Sequence, residues 1–95
     1  MYARITRYKM KPDSTDAAIA QLNQMKSQIM ALPGMIHFVN SMNADGSGYV
    51  VSVVESQEIS DANQESVAKI WAAFADYLES QPEGGGYDVV ANWSN

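Results

Sequence analysis

Residues 45–55, Asp45-Gly46-Ser47-Gly48-Tyr49-Val50-Val51-Ser52-Val53-Val54-Glu55, run from an Asp-Gly turn into the strongest β-strand candidate of the chain. β-branched and aromatic side chains favour a pleated backbone, and Asn43 to Gly48 is a cluster of turn formers. The residues before the turn, Met35 to Asn43, also have strand character. Two strands around one short turn predict an antiparallel hairpin. This hairpin is the middle of the fold, and the flanking segments decide what it pairs with.

Working outward, Ile19, Leu22, Met25, Ile29 and Leu32 recur at helical spacing and predict an amphipathic helix of about five turns. Asp13 or Ser14 can cap its start, and Pro33-Gly34 stops it. On the other side, Val67, Ile70, Trp71, Phe74, Tyr77 and Leu78 mark the apolar face of a second helix, with Ser60 or Asp61 as its cap. The outermost segments are strands: residues 2–10 alternate, and Tyr87 to Trp93 reads as a last strand after a flexible linker at Gln81–Gly86. The order strand, helix, strand, strand, helix, strand predicts an α+β, ferredoxin-like βαββαβ fold. Its four-stranded antiparallel sheet carries both helices on one face. The 95 residues make one domain, 1–95.

The pleat assigns Ala3, Ile5, Ile36, Phe38, Val51, Val53, Val89 and Ala91 to the side under the helices. Arg7, Asn40 and Tyr49 fall on that side too. Thr6, Tyr8, His37, Val39, Val50, Ser52, Val54 and Val90 fall on the other. Four valines make that other face too apolar for water, so a second copy of the sheet is expected to cover it. A lone domain of this size also buries only about two-thirds of its unfolded surface.

Composition excludes several functions. There is no cysteine, hence no disulfide and no thiolate metal site. One histidine without acids at ligand spacing makes no metal centre, and the chain has no Gly-rich dinucleotide fingerprint, so no metal or other cofactor is expected. Net charge is −5, which argues against nucleic acid or an anionic membrane as partner. The charge is uneven. Arg4, Arg7, Lys9 and Lys11 give residues 1–12 a charge of +4, while the rest holds two lysines and all 11 acids, −9. That basic opening is either a small anion site or a solvated strand. No apolar run reaches membrane-spanning length and the first residues form no signal peptide, so a cytoplasmic protein is expected.

The sequence resembles the antibiotic-biosynthesis-monooxygenase-like domains of the dimeric α/β-barrel superfamily over nearly its whole length. The resemblance rests on Tyr2-Ala3-Arg4-Ile5-Thr6-Arg7-Tyr8, the Leu32-Pro33-Gly34-Met35 break, the hairpin through Val51, and Ile70-Trp71-Ala72-Ala73-Phe74. It implies a homodimeric α/β barrel built through the sheet face. It also implies cofactor-independent oxidation of a small aromatic, a quinol or phenol, in a dry pocket between sheet and helices. The alternative is a non-enzymatic dimer that binds a small ligand. An isomerase or decarboxylase using His37 is a third reading. A haem-degrading branch of the superfamily uses an Asn on the first strand and a His on the second helix; both are missing here.

Candidate site residues follow. His37 is a general base or an interface residue. Trp71 stacks on a flat substrate or fills the core, and Phe74 shares its stripe. Arg7 and Asn40 bind a phenolate oxygen or sit in water at the rim. Tyr49 donates to a substrate carbonyl or fills the core edge.

Overall fold

The computed structural model describes residues Met1–Asn95. Strand β1 (Tyr2–Lys9) leads through a 3-10 turn at Pro12–Ser14 into helices α1 (Thr15–Gln24) and α2 (Lys26–Met30). Strands β2 (Met35–Met42) and β3 (Ser47–Val54) form the hairpin. Helices α3 (Gln57–Ala62) and α4 (Gln64–Ala72), a 3-10 turn at Ala75–Tyr77 and strand β4 (Glu83–Asp88) complete the chain. The sheet order is β2-β3-β1-β4 with every pair antiparallel, which is the ferredoxin-like arrangement.

The hairpin forms as its turn chemistry demands. The Asp45 carboxylate accepts hydrogen bonds from the Ser47 amide at 3.0 Å and the Ser47 hydroxyl at 2.6 Å. Those two bonds hold the carboxyl below its ordinary pKa. The helical stretches are each interrupted once. At Met25 the amide is shared between the carbonyls of Gln21 and Leu22, and the ladder then resumes with Ile29 donating to Met25. At Asn63 the same sharing occurs between Ile59 and Ser60. The second helical stretch starts earlier than expected, because the Ser56 hydroxyl accepts from the Ile59 amide at 3.2 Å and caps α3. The buried Asn63 donates to the Pro33 carbonyl at 2.9 Å and ties this stretch to the turn before β2.

Three further sequence expectations are corrected. First, the five-turn helix is two segments, α1 and α2. Second, the expected linker at Gln81–Gly86 is largely strand. Residues 83–88 pair with β1, and the chain after Asp88 has no regular structure. Three glycines read as flexible, yet here they let β4 close on large neighbours. A Cβ on Gly86 would overlap the Tyr2 ring, and one on Gly84 would come within 2.9 Å of the Thr6 hydroxyl.

The third correction concerns the pleat. The faces of β1 and β3 are the reverse of those expected. Val50 and Val54 are buried under the helices, as are Thr6 and Tyr8, and Val90 lies beyond β4 in solvent. Ile5, Val51 and Val53 look the other way, beside Val39, Tyr49 and Tyr87. Both faces of these strands offer β-branched side chains, so hydrophobicity alone does not set the phase. The helix side takes polar Arg4, Thr6 and Ser52 because a cavity lies there.

Fourteen of the 95 residues are buried and none is sealed completely, so the chain alone supplies a thin core. No helix is long and apolar enough to cross a membrane.

Candidate functional site

The space between sheet and helices holds a cavity of about 70 Å³. Arg4 and Thr6 come from β1, Phe38 and Asn40 from β2, and Val50 and Ser52 from β3. The helices close it with Leu22, Ile29, Gln64, Val67, Ile70 and Trp71, and Phe74, two residues past the end of α4, joins them. These helical residues recur at three- and four-residue spacing, which is why one apolar stripe faces the sheet.

Trp71 stands between two rings. Its centroid is 5.8 Å from that of Tyr8, tilted by 52°, and 6.4 Å from that of Phe74, edge-on at 61°. Such offset geometries favour aromatic contact; Trp71 and Phe74 line the space, and Tyr8 packs on Trp71. The Tyr8 hydroxyl donates to Asn40 Oδ1 at 2.5 Å. Burial pushes the Tyr8 phenol above its ordinary pKa, against the smaller opposing effect of the Asn40 bond. Tyr8 therefore stays a neutral donor around pH 7 and orients the Asn40 amide, whose nitrogen remains able to donate.

The cavity adjoins the surface between α4 and the β4 edge. A surface groove there shares Arg4, Thr6, Gln64, Val67 and Trp71 with the cavity and adds Gln81, Pro82 and Gly84. Arg4 is the only charged residue lining either space. No histidine or carboxylate lines the cavity, and nowhere in the chain do three or more metal-ligating His, Asp or Glu side chains meet.

Of the residues singled out from sequence, Trp71, Asn40 and Phe74 converge on this cavity. The other three do not. Arg7 lies on the outer sheet face, where its guanidinium pairs with Glu83 at 2.8 Å and remains 64% exposed. Tyr49 is 53% exposed on the same face. Both had been expected on the helix side, and the reversed pleat moves them out. His37 is exposed on edge strand β2, paired in register with Val53, as its assignment to the outer face required. It has no access to the cavity, which removes the geometric basis for an isomerase or decarboxylase centred on it. Sequence reasoning missed Tyr8, Arg4, Thr6 and Ser52. The signal was available in β1: Thr6, Tyr8 and the buried Met10 share one alternation, and Arg4 continues it.

No protein-family model matches the sequence, and no curated protein does either. Solved structures do match the fold. A Nitrosomonas europaea protein provisionally named an antibiotic biosynthesis monooxygenase superposes with a TM-score of 0.79 at 20% identity, covering 96% of this chain and 100% of its own. Rv0793 from Mycobacterium tuberculosis gives 0.76 at 20% identity, with 98% of each chain covered. A second Nitrosomonas europaea protein, NE2512, of unknown function, gives 0.82 at 18% identity over 99% of this chain and 93% of its own. The chain has the fold of the antibiotic-biosynthesis-monooxygenase-like proteins. At these identities the likeness speaks for fold.

Proposed function

We propose that this protein is a cofactor-independent monooxygenase whose substrate is a small electron-rich aromatic, a quinol or phenol, bound in the cavity beside Trp71. The observation that carries the reading is a largely apolar space lined by Trp71 and Phe74, with Tyr8 packed on Trp71 and its hydroxyl orienting the Asn40 amide at the cavity. The names of the fold neighbours support it. A phenol and dioxygen together hold the atoms of a quinone and water, so the overall conversion balances without a further reductant. The protein's part is to orient the ring, limit water around it and hold the ring oxygen by hydrogen bonds.

The active form in this reading is a homodimer. Ile5, Val39, Val51 and Val53 make an apolar outer face, and a second sheet packed on it relieves the thin core.

Oxygen uptake with a panel of quinols and phenols tests the activity. A saturable, enzyme-dependent uptake is expected. Trp71→Ala should raise the KM about three- to tenfold, since an aromatic contact contributes roughly 0.5–1.5 kcal/mol. One observation favours a second reading, a dimer that binds an aromatic ligand without turning it over: no histidine or carboxylate base lines the cavity. Uptake no faster than buffer for every compound, with ligand binding intact, would establish that reading instead.

A further inference from the structure

Four cations open the chain, and three of them are engaged by the chain itself. Arg7 pairs with Glu83. Lys9 donates to the Asp45 carbonyl and faces Glu79 at 3.8 Å. Lys11 donates to the Asp76 carbonyl at 3.1 Å. Arg4 has neither an ion pair nor a side-chain hydrogen bond, although the chain carries 11 acids. No acid lines the cavity or its mouth, so no carboxylate of this chain answers that guanidinium.

Its position is defined. A point one Cβ out from Gly84 lies 3.2 Å from Arg4 Nη2, 3.4 Å from Nε and 2.9 Å from the Thr6 hydroxyl oxygen. Gly84 belongs to the groove at the cavity mouth. The guanidinium and the Thr6 hydroxyl therefore meet there, over a strand whose glycine leaves them room. A half-buried cation with no ion pair is costly unless something anionic meets it.

We propose that Arg4 is an anion-binding residue of this site and that the ligand is a phenol or quinol that also carries a carboxylate, its ring toward Trp71 and its carboxylate on Arg4 and Thr6 at the mouth. The proposal rests on the cavity being the aromatic site, and it names the substrate class. A carboxylate suits Arg4 better than a phenol oxygen does, for two reasons. It is ionised at neutral pH, where an ordinary phenol is not. Its two oxygens also match the guanidinium fork. The size of the cavity agrees. Its volume of about 70 Å³ is below the ~150 Å³ of an engineered cavity that encloses benzene, so a ring here keeps one end at the mouth. That end is where Arg4 lies.

NMR titration of the full chain with benzoate and with benzamide, its uncharged counterpart, tests this without any turnover. Benzoate is expected to bind at least about tenfold more tightly, as hydrogen bonds to a charged group warrant. Added salt should weaken benzoate and leave benzamide unchanged. Arg4→Gln should bring the two ligands within about twofold of each other, because the charge term is then gone. If that variant does not fold, the preference and salt response of the wild type still decide. Benzamide binding as tightly as benzoate would overturn the role of Arg4 while leaving the aromatic cavity standing. Failure of both ligands to perturb residues around the cavity would overturn both.

Discussion

Val51→Lys is expected to convert a dimer of about twice 10.4 kDa into a folded monomer. Val51 sits on β3, in register with Ile5 on β1 and Val39 on β2, at the centre of the outer face. In a face-to-face dimer a two-fold axis brings the substitution in twice. Each buried, unpaired ammonium costs on the order of 3–5 kcal/mol, enough together to defeat most associations. The monomer fold should persist, because the lysine then points into water and the helix-side core is untouched. Sedimentation of wild type and variant at micromolar concentration reads the result. A wild type that sediments as a single 10.4 kDa species would remove the dimer from the account. So would a Val51→Lys protein that remains dimeric.

Phe74→Ala should destabilise the fold by about 3–5 kcal/mol, measured by denaturant melts. Phe74 is 5% exposed and touches both the core cluster and the cavity, so truncation leaves a void that joins existing space. Collapse around that void is limited, because Trp71 is braced on its other side by Tyr8. Against a typical domain stability of 5–15 kcal/mol this is a large fraction. A loss below about 1 kcal/mol would place Phe74 outside the cooperative core.

The contrast between these two residues marks what the sequence could disclose. The stripe Val67, Ile70, Trp71 and Phe74 was legible because helical periodicity is a strong signal, and all four residues line the cavity. The hairpin was legible from its turn residues. The phase of β1 and β3 was not, since Val50 and Val54 compete with Val51 and Val53 for the same inner face. Arg4, Thr6 and Ser52 look like solvent-side residues under the rule that polar side chains face out. They face in because the space under the helices is a site as well as a core. Strand β4 was hidden for a different reason. Its glycines report the bulk of Tyr2, Thr6 and Arg4 across the sheet, which is a property of the neighbours.

The central claim is that aromatic ligands enter the space between sheet and helices, and the methionine methyl groups test it directly. Met10 and Met35 line the cavity, whereas Met1 and Met30 are exposed elsewhere. With all six methionines carrying ¹³C-methyl labels, titration with phenol should shift the Met10 and Met35 signals along saturable curves and leave Met1 and Met30 in place. Saturable shifts confined to Met1 or Met30, or no shift at Met10 and Met35 up to the solubility of phenol, would contradict it.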